Sequence, residues 1–320
     1  MRAVFHTRSG RSGAVFAMFC ALLLLAIVAR ADGPNAPPLT PPPQGLRVFH
    51  LGHSLVGRDM PAMVEQLARA AGFSDHHHES QLGWGTSLRA HWYPEVEIAG
   101  YEQENDHPRF RPAHEAIASG DYDAIVMTEM VELRDAIRWH DSPRYLARWV
   151  EAARAARPDV RIYLYQSWHD LRHPEGWLPR LERDPAMLWE GAVLAPVWAD
   201  EALGPVHVVP VASVLAALTR AMADGQGAEG LRAPEDLFRE AGDGTLDTIH
   251  FNGQGEYLVA LVHVATLYHR PVEGLPHRLL RADGTPAEAP SEEAARLMQR
   301  IVWDVVRRTP HTGIPQEPPA

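Results

Sequence analysis

Cysteine is almost absent from this sequence. Cys20 is the only one in 320 residues, and it lies inside an apolar run from Ala14 to Ala29. A fold that starts beyond that run has no thiol nucleophile, no disulfide and no cysteine-bound metal, so a large core must supply its stability. Basic residues are also in short supply, 30 against 41 acidic, which gives a net charge of −11. Such an acid excess argues against nucleic acid or an anionic membrane surface as a partner. There is no internal repeat. The remaining composition, 46% apolar and 22% charged, is that of an ordinary globular chain with room for one large domain or two small ones.

The N-terminal run has the make-up of a leader. Arg2, Arg8 and Arg11 precede it, and Ala29-Arg30-Ala31 places small residues around a cleavage position. Residues 1–31 are therefore expected to be a secretory signal peptide. The run is short for a membrane span, and it continues too far past Cys20 for lipid attachment there. Cleavage after Ala31 removes four arginines and no acids, which leaves a net charge of −15. An exported chain without disulfides suits a bacterial periplasm or exterior, with no stable membrane insertion after cleavage. Residues 32–45 hold Pro34, Pro37, Pro38, Pro41, Pro42 and Pro43 and read as a stiff tether. A single domain is expected over 46–310, then a flexible tail over 311–320.

Hydrophobic periodicity lays out the domain. Short apolar runs at 46–52, 122–128, 160–166 and 207–212 read as strands, and 79–82 as the end of another. Helical patterns cover 59–71, 112–119, 143–156, 185–203, 214–223, 253–268 and 292–307. Strands separated by helices predict a parallel sheet covered on both faces, an α/β fold. Residues 92–111 have no clear period and are expected to form a surface loop near the strand ends. Residues 225–244 read mostly as loop.

Two short stretches carry chemistry. Val48-Phe49-His50-Leu51-Gly52-His53-Ser54-Leu55 reads as strand, tight turn and serine, followed directly by a helix, the arrangement that exposes a nucleophile at the carboxyl edge of a parallel sheet. A serine hydroxyl needs a base to take its proton. A histidine serves near neutral pH, and a carboxylate beyond it fixes the tautomer. Asp247-Thr248-Ile249-His250 offers both from one turn, Leu246 to Asn252, ahead of the helix at Gly253. Taken singly, the serine reads equally well as a helix cap, and the pair as a capping aspartate with a core histidine.

Together these stretches resemble the SGNH (GDSL-type) hydrolase superfamily over roughly Leu46 to Arg270. Gly52-His53-Ser54-Leu55 matches the first family block, with His53 where aspartate is common, and Asp247-Thr248-Ile249-His250 matches the last. The resemblance implies a flavodoxin-like three-layer α/β/α sandwich and a Ser54-His250-Asp247 site acting on esters. It also implies an oxyanion hole made by the N–H of Ser54 and of a glycine after the second strand. That glycine is Gly85 in Gly83-Trp84-Gly85-Thr86-Ser87-Leu88, or else Gly83; an ordinary glycine turn is the other reading. The third block, usually Gly-x-Asn-Asp, departs from the pattern. Met127-Thr128-Glu129-Met130 has no asparagine, and an anionic Glu129 cannot donate to an oxyanion. Glu129 then either holds neighbouring backbone or binds substrate.

Trp84 and Trp168 fall where strand-end loops would meet Ser54, either as a platform for a sugar ring or acyl group or as covers of the core. His169 with Asp170 is a rival base in a poorer context, and His169 is also a candidate substrate contact. His207, His263 and His269 are expected in strands and helices without catalytic roles. His76-His77-His78 is expected on a solvated loop, because consecutive side chains of an extended segment point to opposite sides and do not converge on a metal. No metal or cofactor is expected. The function this reading favours is an exported serine esterase acting on a small-molecule or glycan ester, for instance an O-acetyl group on carbohydrate. A polysaccharide O-acyltransferase using the same residues, and a non-catalytic carbohydrate-binding protein, are the alternatives.

Overall fold

Runs such as Val48-Phe49-His50-Leu51 have no side to offer to water, and the computed structural model, which describes residues 38–315, buries both sides of them. The expected signal peptide, residues 32–37 of the tether and residues 316–320 of the tail lie outside the described residues. The elements run β1 (Arg47–Leu51), α1 (Asp59–Ala70), β2 (His77–Gln81), α2 (Leu88–Trp92), α3 (Tyr101–Asn105), α4 (Ala113–Ser119), β3 (Ala124–Met127), α5 (Leu133–His140) and α6 (Ser142–Ala156). They continue with β4 (Arg161–Tyr165), α7 (Trp177–Asp184), α8 (Ala195–Trp198), β5 (His207–Val209), α9 (Val211–Ala223), β6 (Phe238–Glu240), β7 (Leu246–Phe251), α10 (Gly253–Tyr268) and α11 (Glu292–Val306).

The main sheet is parallel throughout, in the order β2-β1-β3-β4-β5. Alternation along each strand assigns its side chains to two cores. Val48, Ala124, Val126, Tyr163, Tyr165 and Val209 pack under α1, α9, α10 and α11. Phe49, Leu51, Ile125, Met127, Ile162 and Leu164 pack under α4 and α6. The result is three layers, helices on both faces of one sheet. The chain winds from β1 out to β2 and then back across to β3, so the loops that follow β1 and β3 diverge and leave a crevice at the carboxyl ends of the strands.

Several boundaries differ from the sequence expectation for identifiable reasons. The helix expected at 185–203 begins earlier, at Trp177, and passes through wide π-type turns over Pro185–Leu194 before α8. Pro185 brings no N–H to the helical ladder, and the widened turns accommodate it. Residues 246–252 are not a free turn: β7 forms a separate antiparallel hairpin with β6. The stretch at 92–111 carries α3 and then lies along the outer edge of β2, where the Ser80 N–H donates to the Arg109 carbonyl at 2.9 Å and the Arg111 N–H to the Ser80 carbonyl at 3.2 Å. His76-His77-His78 enters β2 rather than a solvated loop, because His76 Nδ1 meets the Tyr268 hydroxyl at 2.7 Å and His78 Nδ1 meets the Glu65 carboxylate at 2.9 Å. No cluster of three or more potential metal ligands occurs among the described residues.

The fold reaches beyond 46–310 at both ends. The Leu39 N–H donates to the Gly313 carbonyl at 2.8 Å, the Thr40 carbonyl accepts from Arg161 at 2.7 Å, and the Val208 N–H donates to the His311 carbonyl at 2.9 Å. Thr312 and Ile314 are buried. The first and last described segments therefore lie together beside the starts of β4 and β5.

Burial holds many histidines neutral. It lowers His53, His91, His207 and His263 to about 4, His76 to about 3, and His50 further below its ordinary value. In the unfolded chain these groups take protons below about pH 6.5, so each costs about 1.4 kcal/mol of stability per pH unit on acidification until its folded pKa is reached. Glu129 and Glu256, pushed up to about 7 by burial, act in the opposite sense as the pH falls from 7, but they are outnumbered. Thermal melts followed by circular dichroism should show stability falling by several kcal/mol between pH 6.5 and 5. A flat profile over that window would contradict the neutral buried histidines.

Candidate active site

The turn that carries Ser54 is fixed by close packing. A methyl group on Gly52 would stand 2.7 Å from Thr128 Cγ2 and 3.0 Å from Val56 Cγ2, so only glycine lets β1 end here. The Gly52 carbonyl accepts from His91 Nε2 at 2.8 Å, while His91 Nδ1 accepts from the Gln81 side-chain amide at 2.9 Å. His53, one residue before the serine, is 1% exposed. Its Nδ1 accepts from the Leu55 N–H at 3.3 Å, which leaves Nε2–H to donate to the Glu129 carbonyl at 2.8 Å. These partners assign the tautomers, and burial keeps both rings uncharged. Two neutral histidines thus brace the turn on either side.

The other half comes from the β6–β7 hairpin. Its ladder pairs Phe238 with Phe251 and Glu240 with Leu246, so residues 247–250 oppose Arg239 alone and bulge out. Inside that bulge Asp247 Oδ1 accepts from the N–H groups of Ile249 at 2.9 Å and His250 at 3.0 Å. Asp247 Oδ2 accepts from His250 Nδ1 at 2.8 Å and from Arg239 Nε at 3.1 Å. Burial works against the charge on Asp247, but the N–H groups and the His250 ring outweigh it and hold the carboxyl well below the ordinary aspartate range. His250 Nε2 lies 3.0 Å from Ser54 Oγ. Trp168 stacks on Phe251 at 3.9 Å between ring centres and donates from Nε1 to the Ile249 carbonyl at 2.8 Å. Asp170 takes the Thr248 hydroxyl at 2.6 Å.

Ser54 and His250 open into a cleft of about 1070 Å³. Gly85 and Trp84 are in its wall, and Trp84 is 51% exposed. Gly85 has φ +55° and open space where a Cβ would be, and neither its N–H nor that of Ser54 has an acceptor among the described residues. Gly83 serves packing instead, since a Cβ there would stand 2.2 Å from Ile98 Cγ2. No asparagine or glutamine lines the cleft, and the loop after β3 contributes the apolar Val131.

The remaining expectations sort differently. Glu129 is fully buried and outside the cleft. Its Oε1 accepts from the N–H groups of Met130 at 2.8 Å and Leu88 at 3.2 Å, so it holds backbone rather than substrate. Trp168 anchors the hairpin and also lines a small cavity of about 40 Å³ together with Ser54 and His250, whereas His169 is buried beside Trp177 and lines neither cavity at Ser54. Sequence reading missed Arg239, His91 and Glu256. Arg239 and His91 had no signal, being single residues on unrelated segments, whereas Glu256 is the one acid on the mostly apolar α10.

Glu256 lines the cleft together with Ser54 and His250. Burial first, then the like charge of Asp59, pushes its carboxyl up to about 7, against the pull of Arg281 and Arg239. Below pH 7 it is neutral. Above pH 7 it adds a negative charge beside the group on which an oxyanion would form. Covalent labelling of Ser54 by a fluorophosphonate should therefore proceed faster in Glu256→Gln than in the unaltered protein at pH 8.5, with the two rates converging by pH 6. A ratio independent of pH would show that Glu256 does not titrate beside Ser54.

No protein-family model matches the sequence, and no curated protein does. Among solved structures the chain is similar to a DUF4886 family protein from Bacteroides uniformis, at 14% identity and TM-score 0.51, over 82% of this chain and 94% of that one. It also matches a candidate GDSL-like lipase from Parabacteroides merdae (13% identity, 68% and 94% covered, TM-score 0.39). A carbohydrate esterase family 3 structure from Talaromyces cellulolyticus matches at 18% identity, with 70% and 97% covered and TM-score 0.35. The first likeness speaks for the fold. With a parallel β2-β1-β3-β4-β5 sheet between two helical layers, a serine turn after β1 and an Asp-x-x-His before α10, the chain has a three-layer α/β/α fold shared with that DUF4886 family protein, the architecture expected from the sequence resemblance.

Proposed function

We propose that the protein is a serine esterase that cleaves small acyl esters through an acyl-enzyme, with O-acetylated carbohydrate as the substrate class. The observation that carries this reading is the 3.0 Å approach of His250 Nε2 to Ser54 Oγ at the floor of an open cleft, with Asp247 Oδ2 on Nδ1 at 2.8 Å. His250 takes the hydroxyl proton as Oγ attacks the ester carbonyl. The oxyanion is met by the N–H groups of Ser54 and Gly85. As the tetrahedral species collapses, the proton on Nε2 passes to the leaving alcohol. Water then repeats the sequence at the acyl-enzyme and regenerates Ser54. Asp247 keeps Nδ1–H oriented and offsets the imidazolium charge, while Arg239 holds Asp247 in place.

The hole has two backbone donors where the family pattern adds an asparagine. Loss of one such donor costs about 2.7–4 kcal/mol in other enzymes, so turnover is expected to be modest. The carbohydrate part of the reading rests on Trp84 and on the planar polar groups around it, Arg58, Glu104 and Asp106. Export rests on the leader-like residues 1–31 alone; among the described residues no helix is long and apolar enough to cross a membrane.

The test is hydrolysis of p-nitrophenyl acetate and butyrate, with acetate preferred. Ser54→Ala, His250→Ala and Asp247→Asn should each lower kcat by about 10³-fold or more, since members of such a unit fail together. Unchanged circular dichroism would exclude misfolding as the cause. Hydrolysis undiminished in Ser54→Ala would sink the mechanism.

A further inference from the structure

We propose that residues 92–111 build a distal groove that binds an extended carbohydrate chain, so that the ester reaches Ser54 in mid-chain; this rests on the esterase reading above. Three depressions share walls. The cleft at Ser54 meets a second, of about 640 Å³, across Arg58 and Asp106. The second meets a third, of about 830 Å³, across Tyr101, Glu102 and Gln103. The path therefore leads from the nucleophile over α3 toward Tyr93.

Its chemistry is that of sugar recognition. Aromatic faces at Trp84, Tyr101 and Tyr93 alternate with carboxylate, amide and guanidinium groups that can each span neighbouring hydroxyls. Glu102 and Gln103 are exposed, and neither side chain has a hydrogen-bond partner among the described residues. The wall is also built before any ligand arrives. The Asn105 side chain bonds both the N–H and the carbonyl of Leu82, at 3.0 and 2.8 Å. The Trp84 N–H donates to the Ala99 carbonyl at 2.7 Å, and its indole donates to Glu104 at 2.8 Å. A groove held in this way loses little ordering entropy when it binds. The third depression is floored by Gln81 and His91, the pair that braces the Gly52 carbonyl, so a chain lying there touches the support of the serine turn.

The experiment compares p-nitrophenyl acetate with partially O-acetylated xylo-oligosaccharides of two and six sugars, using the full chain, Glu102→Ala/Gln103→Ala, and Gln103→Trp, which fills the groove. The expected result is a kcat/KM at least tenfold higher for the hexamer than for the dimer. Both variants should lose that gain through KM while keeping p-nitrophenyl acetate hydrolysis within twofold. A hexamer no better than the dimer, or variants that lose both activities together, would overturn the groove. If no form hydrolyses any ester, the esterase reading fails, and the groove is decided by calorimetry of hexamer binding to Ser54→Ala. Binding weakened about tenfold by Gln103→Trp supports it, and absence of binding removes it.

Discussion

The site depends on how tightly β1 is allowed to end. Gly52 lies against the Thr128 side chain with no room for a methyl group, and its carbonyl is bonded by His91 from the opposite wall. One residue later His53 reaches back to the Glu129 carbonyl, so the loops after β1 and β3 are tied across the crevice that their divergence creates. Ser54 therefore projects from backbone fixed on two sides. Both braces are neutral imidazoles with one nitrogen donating and the other accepting, a combination that an ionised carboxylate, which only accepts, could not reproduce. His53 thus holds the turn without adding charge next to Ser54.

The acidic half is arranged by a different means. Asp247 and His250 belong to a hairpin outside the main sheet, and the bulge between its two ladder pairs brings them face to face. The carboxylate is saturated, with two N–H groups on one oxygen and the imidazole and Arg239 on the other. A carboxylate with four donors stays ionised, so the charge that Asp247 places beside His250 does not change near neutral pH. What varies with pH in the cleft is Glu256, which has no such donors.

The parallel sheet was legible because strands buried on both faces read as continuous apolar runs, and the serine turn and Asp-x-x-His stood out because short fixed spacings survive in a sequence. Partners distant in the chain left no such trace. His76 and His78 look like a solvated tract until Tyr268 and Glu65 are placed beside them, and Arg239 becomes visible only once the hairpin register is known. For Glu129 the sequence left open whether it holds neighbouring backbone or substrate, and the structure shows a buried staple for the backbone at Leu88 and Met130. The helix from Trp177 was masked by its own prolines: Pro179 lies in the first turn, where its missing N–H has no intrahelical role, and Pro185 is absorbed by widened turns.

The pairing of Leu39 with Gly313 also decides how this protein can be attached to anything else. Both described ends lie beside Arg161 and Val208, at the beginnings of β4 and β5, whereas the cleft opens where the strands finish. Chain that continues from either described end therefore departs from the face opposite the cleft. The mouth over Ser54 and the two described ends thus occupy opposite ends of the strands, and neither encroaches on the other.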